Sequence, residues 1–437
     1  MNATRESWRL AWPLILSNLS VPILGIVDTA VVGHLDSPRY LGGVALGALV
    51  MSVFYWLFGF LRMGTTALTA QAFGAADTVE TRAALARAML LALGLGGVVI
   101  LAGPVVMLLS ERLFAPSAEV AAEFERYLAI RLFGAPAALA SMVLLGWLLG
   151  LQDSRRPLFL MIVTNGVNAL LSVLFVFGFG LATTGVAAAT VLAEYAGLAL
   201  GLFVVRATWR RQGGWPGQGA ILVLARFRRL FVVNRDLFLR SLMLEAAFLA
   251  FAAIGSRQGE VVLAANAVLM NFFTAAAYGL DGFAHAAEAL VGRTVGARDR
   301  PGFRAAVRAS FANAAVLAVV MTLAFALGGS WGVRLMTGLP EVQAQALAFL
   351  PYIVALPLVS VWAFVFDGIY FGATRTAELR NGMAAALALF ALTAAILVPA
   401  LGNHGLWLTF LVFLAGRAVI LALIYRRAEA AAPFVPA

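Results

Sequence analysis

The sequence contains no cysteine and no lysine, and all 31 of its basic residues are arginine. Without cysteine, the chain can form neither a disulfide framework nor a cysteine metal site. Without lysine, it cannot form the Gly-x-x-x-x-Gly-Lys-Ser/Thr loop that cradles nucleotide phosphates. We therefore expect no nucleotide hydrolysis and no cofactor. An ion gradient is the expected source of energy for any work that the protein performs.

Charged residues are also scarce, because they make up 12% of the sequence against about 25% in a typical soluble domain. Hydrophobic residues reach 62% and the mean hydropathy is +0.94, which indicates an integral membrane protein. The net charge of +10 would favour nucleic-acid binding in a soluble protein. Here the arginines cluster in short loops between apolar runs, where they set membrane topology. We therefore expect the lipid bilayer, and not nucleic acid, as the partner.

Apolar runs dominate the chain, and a run of about 20 residues can cross a membrane as a helix. About twelve such runs are present, which predicts an all-α polytopic membrane protein with twelve transmembrane helices. Arg5 and Arg9 lead straight into the first run without a small-residue cleavage site, so we expect no cleavable signal peptide. The approximate limits of the runs are 8–32, 42–72, 83–109, 121–150, 157–177, 182–207, 235–257, 261–292, 305–330, 343–373, 378–402 and 405–426.

The loop charges predict the orientation and the domain organisation. Arginines concentrate near both termini, in the loops after runs four and eight, and between runs six and seven. The positive-inside rule therefore predicts that both termini lie in the cytoplasm. We expect an amino-terminal lobe (1–207), a cytoplasmic Arg-rich linker (208–234) and a carboxy-terminal lobe (235–437). The linker alternates apolar and basic residues, which fits either a helix along the membrane surface or an irregular basic loop.

An internal repeat relates the two predicted lobes. The segment Gly74-Ala-Ala-Asp77 resembles Gly296-Ala-Arg-Asp299, and the segments around Gly150 and Gly372 also resemble each other. The spacing from Gly74 to Gly296, here called the repeat offset, equals that from Gly150 to Gly372, so a chance match is improbable. Six is an even number of spans, so the two six-helix bundles should run the same way, related by a pseudo-two-fold axis along the membrane normal. Substrate sites in such folds lie at or beside the interface between halves.

The first run carries the carboxylate Asp28 together with Pro13 and Pro22, which should bend or loosen the helix. A carboxylate in hydrocarbon is costly, so it normally faces a protein interior or a wet cavity. The alternative is a structural acid paired with a buried donor. Polar residues on the fifth and sixth runs would complete an amino-terminal cluster or simply hold neighbouring helices together by hydrogen bonds. They are Asn165, Asn168, Ser172, Thr190 and Glu194.

The eighth run carries a polar stripe about five turns long, because its polar residues advance by three or four positions each time. A lipid-facing stripe would be prohibitively costly, so it should face a wet cavity or the other lobe. Three members, Asp281, His285 and Glu288, could alternatively form a metal site, although one helix rarely supplies a whole ligand set. The stripe comprises Asn271, Thr274, Tyr278, Asp281, His285 and Glu288, and neighbouring runs add Glu245, Asp367 and Tyr370.

Membrane acids outnumber membrane bases, which are Arg62, Arg131, Arg417 and His285. A cavity between the two lobes should therefore be electronegative when its acids are ionised, which favours cations. One or two of the bases should pair with an acid, or reach the membrane surface. The buried carboxylates are the groups best suited to carry a proton.

Several segments resemble the multidrug and toxin extrusion (MATE) family of the superfamily that also contains lipid flippases. Val-Asp28-Thr-Ala-Val-Val-Gly33, Thr-Ala-Gln71-Ala-Phe-Gly74, Gln152-Asp153 and Leu-Asp281-Gly-Phe-Ala are similar to its motifs. Residues 35–45 and the segment Asp367-Gly-x-x-x-Gly372-Ala-Thr-Arg375 resemble its DNA-damage-inducible F branch. The resemblance covers nearly the whole chain.

This resemblance implies a cation-coupled antiporter that expels organic, often cationic, compounds by rocking between outward-open and inward-open states. It implies cation coupling at Asp28 and helix bending at Pro13, and Asp28, Glu245 and Asp367 resemble the acidic triad of its sodium-linked branch. We also expect Asp281 among the cation-coupling residues, with sodium possible at Glu245 and Asp367. Candidate cavity residues are Asn165, Asn168, Glu194, Tyr278, His285, Glu288 and Tyr370. Some proton-coupled members carry an aspartate one turn after the asparagine that corresponds to Asn168 on the fifth run. Here Ser172 occupies that position, so Asp28 is expected to work without an acidic partner.

The sequence therefore predicts a bacterial inner-membrane multidrug antiporter, acting as a monomer and coupled to H⁺ or Na⁺. The first alternative is a lipid-linked precursor flippase of the related superfamily, which would require a basic cavity for anionic head groups. The second is a membrane-embedded enzyme, which would require catalytic acids on a sizeable loop. We expect no enzyme activity, because no predicted loop is long enough.

Overall fold

The computed structural model describes residues 3–211, 213–214, 216–431 and 433–435, except for the side chains of residues 21–24, 26, 211 and 431. Every regular element in these ranges is helical. The helices are α1 Ala3–Gly33, α2 Pro38–Leu57, α3 Phe60–Gly74, α4 Thr78–Leu101, α5 Gly103–Phe114, α6 Ala118–Leu132, α7 Ala135–Gly150, α8 Arg155–Val173 followed by a π-helical turn Leu174–Gly178, α9 Ala182–Arg211, α10 Gln218–Ile221, α11 Leu224–Ser256, α12 Glu260–Gly296, α13 Arg300–Met336, α14 Pro340–Gly372, α15 Thr376–Leu401 and α16 Asn403–Ala431.

The number of membrane spans agrees with the sequence pattern. Among the described residues, ten helical spans are long and apolar enough to cross a bilayer, counting α2 and α3 as one span. The pair α6 and α7, bent by 49° at its break, forms an eleventh. The 31-residue helix α1 coincides with the first predicted span. The molecule is an all-α polytopic membrane protein.

Several predicted spans differ from the structure, and the predicted span 42–72 is divided into α2 and α3. The predicted span 83–109 ends at Leu101, because Pro104 at the start of α5 cannot continue the backbone hydrogen bonds of α4. The predicted span 121–150 is two helices that meet at Phe133–Gly134. In the predicted linker, α11 already begins at Leu224. The basic and apolar alternation of residues 224–234 is therefore the first three turns of a long helix.

The chain forms two compact units. One unit, called the amino-terminal unit, comprises Leu16–Phe73 and Asp77–Leu230. The other, called the carboxy-terminal unit, comprises Phe231 onwards together with Gly74–Ala76 and the residues up to Ile15. The first turns of α1 therefore belong to the carboxy-terminal unit, where Glu6 forms a bidentate ion pair with Arg293 (2.6 and 2.9 Å).

The two units repeat the same local structure at the repeat offset. The helices α2, α4 and α6 begin exactly one repeat offset before α12, α13 and α14. Ala76 and Arg298 have left-handed backbone conformations (φ of 55° and 54°), as do Gln152 and Thr374 (64° and 55°). Asp77 caps α4 by accepting from the Glu80 amide, and Asp299 caps α13 by accepting from the Gly302 amide.

Two equivalent glycine pairs bring helices into close contact. A Cβ at Gly146 of α7 would collide with the Arg62 carbonyl of α3, and a Cβ at Gly150 would lie 2.6 Å from Thr69 Cβ. In the other unit, the glycines at the equivalent positions, Gly368 and Gly372 of α14, pack in the same way on α12 carbonyls. Small residues four apart allow this approach in membranes, where packing, rather than hydrophobic exclusion, joins helices.

The two units differ in the composition of their interiors. The carboxy-terminal unit has an aromatic core in which Phe251, Trp407 and Phe410 have ring centroids 5.0–6.1 Å apart. The corresponding region of the amino-terminal unit contains smaller apolar clusters, one around Val44 and Tyr127 and one around Met51 and Phe124. A polar cavity lies among the helices of that unit.

Candidate functional site

The cavity of the amino-terminal unit has a volume of about 360 Å³. Its walls come from six helices, α1, α2 and α6 to α9. Four of the predicted site residues, Asp28, Asn165, Asn168 and Glu194, line this one cavity. The other lining residues are Gly25, Ala48, Met51, Ser52, Tyr55, Tyr127, Arg131, Ala138, Thr164, Thr190 and Ala193.

A chain of hydrogen bonds leads from Asp28 to the polar residues of α8. The Ser172 hydroxyl lies 3.3 Å from both Asp28 Oδ1 and Asn168 Oδ1. The Asn168 amide donates to the Thr190 hydroxyl (2.9 Å), which donates to the Val186 carbonyl (2.9 Å). Since Ser172 has only one hydroxyl proton, it can donate to one of its two acceptors at a time. Its choice therefore depends on whether Asp28 is ionised.

Asn165 lies one turn before Asn168 and ties α8 to α1. Its amide nitrogen donates to the Ser20 hydroxyl (3.2 Å), and Ser20 in turn donates to the Ser17 carbonyl (2.7 Å). This contact fixes the part of α1 that precedes Asp28 against α8. Asn165 therefore both lines the cavity and joins two helices. It combines the two alternatives from the sequence, a member of a polar cluster and a hydrogen bond between neighbouring helices.

A second polar group faces the same cavity from the side of α9. Arg131 of α6 forms an ion pair with Glu194 (Nη1 to Oε1, 3.0 Å), and their side chains are 5% and 14% exposed. The Tyr55 hydroxyl of α2 donates to the same carboxylate oxygen (3.0 Å) and accepts from Arg131 Nη2 (3.2 Å). One arginine, one glutamate and one tyrosine therefore form a closed triangle of contacts.

The charged residues that line the cavity are Asp28, Arg131 and Glu194. Because Arg131 and Glu194 compensate each other, the net charge of this group equals the charge of Asp28. The wall bears about one negative charge when Asp28 is ionised, and none when Asp28 is protonated. The site can therefore exchange one small cation for one positive charge of another kind.

The predicted acids of the carboxy-terminal unit have different partners from Asp28. Asp367 is buried and forms ion pairs through the same oxygen with Arg240 and Arg417. Two guanidinium groups already compensate this carboxylate, so a sodium ion would have to compete with both. Glu245 is half-buried and has no hydrogen bond or ion pair within the described ranges. The structure does not join Glu245 and Asp367 through any hydrogen bond, and sodium binding at either stays a prediction.

The polar stripe on α12 passes from exposed to buried along the helix. Asn271 and Thr274 are exposed and donate to carbonyls of their own helix. At the other end, His285 lies 3.9 Å from the fully buried Glu288. Within the part of the chain that the structure describes, no three His, Asp or Glu side chains are grouped to hold a metal ion. Tyr278 and Asp281 are half-buried, and their roles stay predictions.

The remaining predicted residues are Tyr370 and the two prolines of α1, Pro13 and Pro22. The Tyr370 hydroxyl is buried and donates to the Leu421 carbonyl (2.9 Å), which joins α14 to α16. Pro13 is buried, and α1 continues without interruption through it. Pro22 lies among the residues whose side chains fall outside the described ones. Bending at Pro13 and Pro22 therefore stays a prediction.

Sequence reasoning missed two aromatic residues of the site. Tyr55 and Tyr127 line the cavity, but each lies in an apolar run where a tyrosine is unremarkable. The sequence identifies Arg131 as a membrane base but does not indicate its partner. Its partner Glu194 lies far along the chain, on α9, and no local pattern reports such a contact.

The MatE family model matches residues 13–174 and 237–399 of the sequence. The chain belongs to the MatE family. The start points of the two matched segments are separated by nearly the repeat offset, so the family model also follows the internal repeat.

The relatives of this MatE protein include bacterial and plant proteins. It is 46% identical to the DNA damage-inducible protein F of Escherichia coli, over 98% of this chain and 93% of that protein. It is 31% identical to a probable multidrug resistance protein NorM of Caulobacter vibrioides, over 73% of this chain and 68% of that protein. A solved structure of a MOP superfamily transporter from Pyrococcus furiosus shares the fold with a TM-score of 0.87. The alignment covers 99% of this chain and 97% of that one at 19% identity.

These similarities establish the general class of the protein. It is a multi-pass membrane transporter of the MatE family, related to multidrug efflux proteins, and not an enzyme. The predicted family, fold class and transporter class are confirmed.

Proposed function

We propose that this MatE protein is a secondary active antiporter of the bacterial inner membrane. It exports organic compounds, cationic or amphipathic, in exchange for protons by alternating access. It works as a monomer, with both termini in the cytoplasm. Asp28 is the coupling residue, and α1 rearranges at Pro13 and Pro22 when Asp28 changes its charge.

The charge arrangement of the amino-terminal cavity is the observation that carries this proposal. Among the charged groups that line the cavity, Asp28 is the one without an opposite charge in contact. A proton on Asp28 removes the net negative charge of the wall and weakens the binding of a cationic compound. A cationic compound in the cavity favours the ionised form of Asp28 and expels the proton. Binding of the two is therefore mutually exclusive, as antiport requires.

The hydrogen bonds of Asp28 support a local switch. When Asp28 is ionised, the Ser172 hydroxyl donates to it across 3.3 Å. When Asp28 is protonated, it can donate to Ser172, and the Ser172 proton is then free for Asn168 Oδ1, also 3.3 Å away. The change of charge on α1 is thus transmitted to α8 and, through Asn168, to Thr190 on α9.

Drug-driven proton movement in proteoliposomes tests the proposal. The purified full-length chain is reconstituted, a pH gradient or a sodium gradient is imposed separately, and accumulation of a lipophilic cationic dye such as ethidium is followed. We expect accumulation with the pH gradient and at least a tenfold loss for Asp28→Asn. Asp36→Asn is the matched control, because Asp36 is exposed and lies on the loop that follows the same helix.

Three outcomes would contradict the proposal. Full accumulation by Asp28→Asn would remove Asp28 from the coupling step. Accumulation driven only by sodium would replace the proton as the coupling ion. Dye movement that needs neither gradient would show a channel or a facilitator instead of an antiporter.

The flippase alternative has less support in the cavity. A flippase for anionic head groups needs positive charges that are available to its substrate. Arg131 is the arginine among the lining residues, and its guanidinium is already held by Glu194 and Tyr55. Scrambling of a fluorescent anionic lipid by the same proteoliposomes, at a rate above protein-free vesicles, would favour the flippase instead.

A further inference from the structure

We propose that Glu194 is a second proton-accepting carboxylate of the transport cycle. It passes the proton from the Asp28 cavity towards the Arg155 end of α8. This inference rests on the proposed proton-coupled function and adds to it a path for the proton within the amino-terminal unit. Four observations on the position of Glu194 carry it.

Glu194 lies where two cavities meet. A smaller cavity of about 120 Å³ adjoins the Asp28 cavity. Along α8, its wall begins at Leu160 and Met161, nearer to the Arg155 end of the helix, whereas the wall of the larger cavity extends to Asn168. Water occupies about 30 Å³ per molecule in the liquid, so the smaller cavity has room for a few molecules. Both cavities are lined by Ala138, Thr164, Asn165 and Glu194.

One oxygen of the Glu194 carboxylate is free to take a proton. Oε1 accepts from Tyr55 and Arg131, each at 3.0 Å. Oε2 is buried and has no hydrogen-bond partner. A buried carboxylate oxygen without a donor is costly, and protonation of that oxygen removes its charge. The arrangement keeps Glu194 in place through Oε1 and leaves Oε2 for proton transfer.

The backbone is shaped around this oxygen. Oε2 packs against Gly134, where even a Cβ atom would collide with it. Gly134 lies at the break where α6 and α7 meet at 49°. The neighbouring residue of α9, Tyr195, donates to the Phe133 carbonyl at the same break (3.1 Å). The break in this span and the carboxylate therefore occupy the same place.

Every charged or titratable group facing Glu194 is compatible with the role. The helix α6 contributes Arg131 and Tyr127, α2 contributes Tyr55, and α1 contributes Asp28 across the cavity. The facing residues of α7 and α8, Ala138, Ser141, Thr164 and Asn165, carry no charge. Arg131 is therefore the group that responds when Glu194 gains or loses a proton.

The proposed transfer conserves the proton at each step. The carboxyl group of Asp28 releases its proton, and water in the larger cavity carries it to the carboxylate of Glu194. The neutral carboxyl group of Glu194 no longer compensates Arg131, whose guanidinium is then attracted by the ionised Asp28 across the cavity. Glu194 next releases the proton into the smaller cavity and binds Arg131 again as a carboxylate. Glu194 thereby acts as the second acid, which α8 lacks because Ser172 occupies the position where some family members have an aspartate.

The test separates coupling from substrate binding. Proteoliposomes containing the full chain are assayed for exchange of ethidium at equal pH, and for its accumulation against a gradient driven by pH. Glu194→Gln alone leaves Arg131 uncompensated, so it should weaken both exchange and accumulation. Combined with Arg131→Met, it leaves the net charge of the cavity equal to that of Asp28, and the loss of accumulation should then exceed the loss of exchange by at least tenfold. Glu194→Asp keeps a carboxylate and should restore part of the accumulation.

Two further variants serve as controls. Glu194→Gln combined with Arg131→Met removes both charges of the ion pair together and should fold, while it still loses the accumulation. Glu123→Gln removes a glutamate of α6 that pairs with the exposed Arg126 outside the cavity, and it should behave like the wild type.

The outcomes distinguish this inference from the proposed function. If the wild type shows no accumulation driven by pH, the proposed function itself fails. If the wild type accumulates ethidium and the double variant does so within twofold, Glu194 carries no proton and the inference is overturned. Equal loss of exchange and accumulation in a folded double variant would also overturn it, because Glu194 would then serve substrate binding.

Discussion

The two halves of the chain repeat one pattern of helices but use it for different purposes. The positions one repeat offset after Asp28, Arg131, Asn168 and Glu194 are occupied by Ala250, Ile353, Phe390 and Gly416. Ile353 and Phe390 are buried in the aromatic core of the carboxy-terminal unit. One half therefore encloses a polar cavity where the other half packs side chains.

The backbone follows the same division. In the amino-terminal half, four spans are interrupted, by the gaps between α2 and α3, α4 and α5, and α6 and α7, and by the π-helical turn after α8. Their counterparts α12, α13, α14 and α15 run without interruption. π-helical turns inside helices often occur at functional sites. The interrupted helices therefore lie in the half that encloses the polar cavity, and four predictions test this division between the halves.

The largest expected effect concerns the two aspartates. Asp367→Asn should leave the buried Arg240 and Arg417 without a carboxylate, and removing one partner of a buried ion pair costs about 3–5 kcal/mol. Asp28→Asn removes a charge that has no opposite charge in contact, so it should not destabilise the fold. Thermal unfolding in detergent, followed by tryptophan fluorescence, measures both. Similar losses for the two variants would contradict the proposed division between the halves.

The second prediction replaces residues of one half by their counterparts. Arg131→Ile alone should destabilise the protein, because it leaves Glu194 buried without its cation. Arg131→Ile combined with Glu194→Gly reproduces the residues of the carboxy-terminal half and should recover most of that stability while losing proton-driven transport. The coupling free energy from the double-mutant cycle is the measurement. A coupling below about 0.5 kcal/mol would show that the pair contributes little to the fold.

The third prediction tests the shared packing. Gly146→Ala and Gly368→Ala each place a Cβ against a backbone carbonyl that cannot move aside like a side chain. Overpacking of this kind typically costs about 1–3 kcal/mol, and the two losses should be similar. Gly94→Ala is the control, because a Cβ at that position meets open space. Loss of stability at only one of the two glycines would show that equivalent contacts do not contribute equally to the free energy of unfolding.

The smallest expected effect is at Ser172. Ser172→Ala introduces the residue type found at the equivalent position of the other half, Ala394, and removes one hydrogen bond to Asp28. A single hydrogen bond contributes on the order of 1 kcal/mol, so the concentration of protons that half-saturates transport should change by roughly fivefold. The pH profile of ethidium accumulation measures this change. An unchanged profile would exclude Ser172 from the local switch.

Much of this architecture could be predicted from the sequence, because it depends on local patterns. Long apolar runs indicated the spans, and the motifs around Gly74 and Gly150 defined the repeat offset that the left-handed residues Ala76 and Arg298 display. The interruptions were missed, although Gly134 and Pro136 lie inside one predicted span. Apolar composition is the same on both sides of such a break, so hydropathy does not reveal it.

The site was predicted in part for the same reason. Asp28, Asn165, Asn168 and Glu194 stood out because polar residues are rare in apolar runs, and the structure gathers them around one cavity. Which acids lack an opposite charge could not be predicted. Asp367 and Asp28 look alike in the sequence, and only contacts with Arg240 and Arg417, which lie on the distant helices α11 and α16, distinguish them.

The break at Gly134 shows how a helix can be interrupted inside hydrocarbon. A gap in a helix exposes carbonyl groups that lipid cannot solvate. Here the Arg131 carbonyl accepts from the Gly134 amide and the Phe133 carbonyl accepts from the Tyr195 hydroxyl, so both are satisfied by the protein itself. Both carbonyls at the break therefore have hydrogen-bond partners within the protein, so the bend needs neither water nor lipid to solvate them.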